Sequence, residues 1–139
     1  MGASNPDIVD VATIKGVNCG FNLSATATAT LFTVDSNKLV KINSIICANV
    51  DGTNAATLDL FVRGVGTTND DGITITDGSS AAPAGSDIYL AKTVSVPADA
   101  TLVVLSSPIY LMEGDILKGG ANAASDLDLF ISMDIIDDA

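Results

Sequence analysis

The chain has 139 residues, of which 47% are apolar, and this is enough for one domain that folds around its own core without disulfides or metals. Histidine is absent, which excludes imidazole-activated nucleophiles and imidazole metal ligands, so we expect no enzyme, no catalytic residue, no metal and no cofactor. The formal net charge is −11 and the six basic residues stand singly, so we expect no nucleic-acid partner. No apolar run reaches the roughly 18 residues of a membrane-spanning helix, and we expect no membrane partner either.

The first ten residues differ in composition from the rest of the chain. Residues 1–10 have the character of an arm without a place in the core of the domain, which we assign to residues 11–139. Ile8 and Val9 are apolar residues of this arm, and we predict that they contact a neighbouring protein. The arm lacks the basic and apolar regions of a secretory signal, so we expect synthesis in a reducing cytoplasm. Cys19 and Cys47 lack C-x-x-C spacing and are then expected to be buried free thiols.

From residue 11 to residue 63 the chain has the pattern of β-strands separated by polar turns. Predicted strands in this part are residues 11–17, 23–34, 39–50 and 57–63. The second of these interleaves alanine with threonine, which predicts one long, tightly packed strand. Asp51-Gly52 lies between two strand patterns, and this pair favours a hairpin turn with positive φ angles.

Residues 64–85 form a long segment rich in Gly, Ser, Asp and Thr. Loops of this length within a compact domain are typically functional. Ile73 and Ile75 alternate with threonines, which predicts a hairpin excursion inside the loop. Asp70 and Asp71 offer oxygen ligands for calcium, but their spacing does not fit a calcium-binding loop, so turn chemistry is the favoured interpretation. We predict that these four residues contribute to a contact with another protein surface.

After this loop the strand pattern returns and continues almost to the C-terminus. The clearest strand is residues 127–135, where apolar and mostly polar residues alternate. Its predicted core-facing residues are Leu127, Leu129, Ile131, Met133 and Ile135. Asp126 and Asp128 share one face of it, and they are either paired carboxylates or, as we favour, charges at a solvated or interface-facing edge. Predicted strands in this part are residues 88–96, 101–105, 109–112, 116–120 and 127–135.

These elements together predict an all-β chain of eight or nine strands with little helix. Short strands with turn signals about every 8 to 12 residues are typical of an antiparallel two-sheet β-sandwich, of jelly-roll or immunoglobulin-like shape. The order of the strands does not follow from one sequence.

Two phenylalanines break the alternation of their strands. Phe61 and Phe130 each lie on the otherwise polar face of a predicted strand. A large apolar side chain at such a position indicates a second buried surface, either a subunit interface or an opposing sheet. We therefore add both residues to the candidate contact set.

Three stretches carry a resemblance to a known group of proteins: KINSI with NVDGTNAA, which begin at Lys41 and Asn49; VSVPADATLVVL with SSPIYLMEGDIL, residues 94–117; and ASDLDLFISMDII, residues 124–136. From about residue 11 to its end the chain resembles small virion structural proteins of tailed bacteriophages, particularly those infecting marine cyanobacteria. The arm and the 64–85 loop have no counterpart in this resemblance.

The resemblance implies a β-sandwich within a virus particle. We expect a capsid decoration (cement) protein, located on the capsid exterior as a homotrimer that binds the major capsid protein and holds capsomers together. The alternatives are a neck or tail component, or a carbohydrate-binding module of a tail or head fibre. No catalytic residue is carried over from the resemblance.

Overall fold

The computed structural model describes residues 11–64 and 86–138, so the predicted arm and most of the predicted 64–85 loop lie outside the described residues. In these two ranges there is no helix long and apolar enough to cross a membrane. The described chain is all-β, as predicted, with strands β1 Val11–Asn22, β2 Thr30–Thr33, β3 Lys38–Asn49, β4 Ala56–Arg63, β5 Asp87–Val96, β6 Thr101–Leu105, β7 Ile109–Leu111, β8 Ile116–Ala121 and β9 Leu127–Asp138.

The nine strands form two antiparallel sheets. Sheet A has the order β1-β9-β3-β6, with β7 also paired to β3, and sheet B has the order β2-β8-β4-β5. If β6 and β7 count as one interrupted strand beside β3, each sheet has four strands. Strands from the two ends of the chain are then neighbours in both sheets, which is the strand order of a jelly roll. The predicted two-sheet β-sandwich is confirmed.

The core lies between the sheets and is built by the period-2 alternation of the strands. Leu129, Ile131 and Met133 of β9 point inward, as predicted, and are buried. Leu58 and Leu60 of β4 face them from sheet B and are fully buried. Each leucine or isoleucine buried in this way contributes roughly 1.5–3 kcal/mol, so the alternation itself supplies most of the driving force for folding.

The prediction of one strand over residues 23–34 is wrong, because only Thr30–Thr33 is a strand. Residues 23–29 instead cross β8 in a turn, and their backbone forms hydrogen bonds with that strand. Ala121 N donates to Ser24 O, and Gly119 N donates to Ala29 O. A Cβ at Gly120 would lie 2.4 Å from Thr26 O, so this crossing requires glycine. The alanine and threonine pattern therefore reflects a close backbone crossing and not a regular strand.

The turn predicted at Asp51-Gly52 is present, but the prediction of a hairpin is wrong. It joins β3 of sheet A to β4 of sheet B, and Gly52 does not have a positive φ. Buried Asn49 organises the connection, because its Nδ2 donates to Asn54 O and Val96 O, both at 2.9 Å, and its Oδ1 accepts from Asp51 N. The turn chemistry was correct, but the connection passes between sheets.

Candidate interaction face

The structure separates the eight predicted contact residues. Phe61 and Phe130 lie in described strands on different sheets, so they do not form one site. The other six lie outside the described residues: Ile8, Val9, Asp70, Asp71, Ile73 and Ile75.

Phe61 lies on the outward face of sheet B, yet it is fully buried. Its ring packs against Tyr89 of β5, with ring centroids 4.9 Å apart and a tilt of 40°. Lys118 of β8 is its neighbour on the other side, and Lys92 Nζ lies 4.5 Å from the Tyr89 ring. The second buried surface that the sequence predicted at Phe61 is therefore found inside the chain itself.

Phe130 lies on the outward face of sheet A and is 45% exposed. The strand register places Gly20 of β1 on one side of it and Ile46 of β3 on the other, and Val103 of β6 lies beside Ile46. Ile46 and Val103 are also exposed. The result is an apolar row that crosses all four strand positions of the sheet.

The rest of this outward surface is also unusually apolar. We use the name sheet A face for the outward side chains of β1, β9, β3, β6 and β7. Of the eight large hydrophobic residues that are exposed in the described chain, five belong to this face, whereas only Ile88 and Tyr89 lie on sheet B. The five residues are Ile14, Ile46, Val103, Tyr110 and Phe130.

The sheet A face carries little net charge. Among the side chains of residues 11–64 and 86–137, the charged ones on this face are Lys41, Asp128 and Asp134, which sum to −1, while the whole chain carries −11. Asn22 Nδ2 donates to Asp128 at 2.6 Å, and Asn43 Nδ2 donates to Asp134 at 3.3 Å. Lys41 lies opposite Asp134 in the strand register. Both carboxylates are thus held by amides within the sheet.

A shallow hollow opens on this face beside Phe130. It has a volume of about 320 Å³ and is lined by β1 and β9, with Gly20 and Asn22 on one side and Asp128 and Phe130 on the other. Gly20 has no atom within 4 Å of the position where a Cβ would stand. The missing side chain therefore leaves room for a group that comes from outside the chain.

Outside this face, the acidic residues that the structure describes do not gather into a metal site. Within residues 11–64 and 86–138, no three metal-ligating side chains come together. Asp137 pairs with Lys38 at 2.8 Å, and Arg63 lowers the pKa of Asp87 by donating two hydrogen bonds to it. Asp115 is buried with Oδ1 unpartnered, and burial raises its pKa.

Both cysteines are free thiols, as predicted. Cys47 is buried, and burial together with the charge of Asp128 raises the pKa of its thiol to about 11, so it stays protonated at neutral pH. Cys19 is only half-buried, which corrects the prediction for this residue. It lines a second cavity of about 210 Å³, between β1 and β2 at the open edge of the sandwich.

Several residues of the sheet A face were missed by the sequence analysis. Ile46 lies in the unbroken apolar run of residues 45–48, and Val103 lies in that of residues 102–105. In a strand with alternating faces, such a run places apolar side chains on both faces. The two runs therefore carry a signal for an apolar outward face, in addition to their propensity for strands.

Comparisons with known proteins give no relative for this chain. No protein-family model, no curated protein and no solved structure matches it. The resemblance to phage virion proteins therefore rests on the sequence motifs alone.

Proposed function

We propose that this chain is a structural protein of a virus particle, a capsid decoration protein that binds the outer capsid surface as a homotrimer. Its partners are further copies of itself and the major capsid protein, and it is made in the cytoplasm of the host. The observation that carries the proposal is the sheet A face, where exposed apolar side chains concentrate on a nearly neutral surface. Exposed apolar patches of this kind mark interaction surfaces, which supports a role in protein contacts.

The fold supports the same interpretation at the level of analogy. Double-sheet jelly rolls recur in viral capsid domains, although they also occur in lectins, so the fold alone does not decide the function. The sequence motifs that resemble phage virion proteins favour the particle over the lectin.

The proposed mechanism is mechanical. Each copy buries a modest interface on neighbouring capsomers, and many such sites act together to hold the shell closed. The charge of −11 keeps free copies apart in solution until a specific contact forms. Docking on the capsid is therefore expected to respond to ionic strength.

The copy number in purified virions tests this proposal. Peptides of the chain are quantified by mass spectrometry against those of the major capsid protein in the same digest, which serves as the internal standard. We expect hundreds of copies per particle. About a dozen copies would instead indicate a neck or tail component, and absence from the virion would refute a structural role in the particle.

A further inference from the structure

We infer that copies of this chain associate with one another through the sheet A face, with Phe130 of one copy seated in the hollow beside Gly20 of the next. This inference deepens the proposed function, because it names the surface at which copies of the chain meet in the proposed homo-oligomer. It depends on the proposed function only in that both require self-association.

The size of the face fits a stable contact between subunits. Three paired strands of 12 residues, with the shorter β6 and β7 beside them, cover on the order of 700 Å² at about 3.3 Å per residue and 4.8 Å between strands. Stable protein interfaces bury about 800 Å² on each partner. The sheet A face alone therefore provides close to the area that one subunit needs.

The charge distribution favours a second copy as the occupant. Two molecules that each carry −11 repel one another over most of their surfaces, and the repulsion is smallest where the charge density is lowest. Within residues 11–64 and 86–137 the charged side chains of this face sum to −1, and Lys41 and Asp134 provide opposite charges that can pair between copies. A strongly basic partner, in contrast, would gain more by binding the acidic remainder of the surface.

The hollow gives the contact a defined register. Phe130 projects from the same surface that carries the hollow. A second copy, related to the first by a nearby symmetry axis, can therefore place its Phe130 ring against Phe130 and over Gly20 of the first copy. A volume of about 320 Å³ accommodates one phenyl ring.

Light scattering on a sizing column tests the inference, with the native mass measured over a hundredfold range of concentration. Ile46→Lys places a charge in the apolar row. The matched control is Ile88→Lys, the same substitution on sheet B at nearly equal exposure, 40% against 37%. Gly20→Leu places a branched side chain in the hollow, and its Cβ meets no atom of the chain within 4 Å. Circular dichroism and urea unfolding of each variant confirm that it folds.

We expect the wild type and Ile88→Lys to form the same oligomer, and Ile46→Lys and Gly20→Leu to raise the dissociation constant at least tenfold. The inference is overturned if the wild type is monomeric at every concentration, or if folded Ile46→Lys and Gly20→Leu associate like the wild type. The virion copy number is independent of these results. If virions contain hundreds of copies but Ile46→Lys forms the same oligomer as the wild type, only the inference is overturned. If Ile46→Lys weakens the oligomer as expected but virions contain no copies of the chain, only the proposed function is overturned.

Discussion

Phe61 and Phe130 break the alternation of their strands in the same way, but they differ in burial in the folded chain. Phe61 is fully buried beside Tyr89 on sheet B, while Phe130 is 45% exposed on sheet A between Gly20 and Ile46. The difference comes from the cross-strand neighbours, which are an aromatic ring in one case and a glycine in the other. A large apolar residue on an otherwise polar strand face therefore indicates a buried position. Whether the side chain is buried by the same chain or by a partner depends on its cross-strand neighbours.

The largest expected effect is the loss of stability on truncation of Phe61, and truncation of Phe130 is its comparison. Phe61→Ala is expected to lower the free energy of unfolding by about 4 kcal/mol, because it removes a fully buried ring and leaves a cavity. Phe130→Ala is expected to change the stability of the monomer by less than about 1 kcal/mol, because much of its ring is already in water. Urea unfolding at a concentration where the protein is monomeric measures both. Equal losses for the two variants would contradict the comparison.

Glycines on the two sheets extend the comparison. Gly120→Ala is expected to destabilise the fold by about 3 kcal/mol, because the new Cβ would lie 2.4 Å from Thr26 O and the crossing backbone must move. Gly20→Ala on sheet A meets no atom and is expected to leave stability within about 0.5 kcal/mol. Thermal unfolding of the pair provides the measurement. A stable Gly120→Ala variant would show that the 23–34 segment does not cross β8 closely.

The junction between the sheets is expected to be sensitive at Asn49. Asn49→Ala leaves the carbonyl oxygens of Asn54 and Val96 without this donor, and we expect a loss of about 2 kcal/mol. The control is Asn54→Ala, which removes only an exposed side-chain bond to Asp51 and should cost less than about 0.5 kcal/mol. Urea unfolding compares them. Similar losses for both would mean that Asn49 does not hold the two sheets together.

The smallest effect concerns the pH dependence of two aspartates with opposite shifts. Burial raises the pKa of Asp115, so its contribution favours the folded state at low pH and is lost as the pH rises above the unfolded value of 3.8. The amide of Thr53 lowers the pKa of Asp51, so its contribution is present above that value and is lost as the pH falls. From pH 4 to pH 7, Asp115→Asn should therefore gain stability relative to the wild type, and Asp51→Asn should lose it. Urea unfolding at both pH values checks the signs, and equal trends would refute the assignment.

Much of the fold could be predicted because period-2 alternation reports directly on burial. The prediction for residues 101–105 matches β6 completely, and β9 has the predicted inward set Leu129, Ile131 and Met133. The strand prediction for residues 23–34 failed because the course of this segment depends on Gly120, almost 100 residues away, where the missing side chain lets the two backbones approach. The hairpin at Asp51-Gly52 failed because local turn chemistry does not specify which sheet the next strand joins.

The candidate site was less predictable than the fold. Phe130 was identified from its strand alone, but the row that joins it to Ile46 and Val103 depends on the register of three strands distant in sequence. The strand order that brings the two ends of the chain together is not encoded in any local pattern. Once the register is known, an apolar run such as residues 102–105 indicates a strand that is apolar on both faces.

Hydroxyl-radical footprinting tests most directly whether the sheet A face is the contact surface and sheet B is not. Oxidation of Tyr110 and Phe130 is compared with that of Tyr89, which is exposed to a similar degree as Phe130 but lies on sheet B, at the two ends of the hundredfold concentration range. We expect Tyr110 and Phe130 to become protected as the native mass rises, while Tyr89 reacts equally at both concentrations. Protection of Tyr89 alone, or unchanged oxidation of Phe130 in the oligomer, would contradict it.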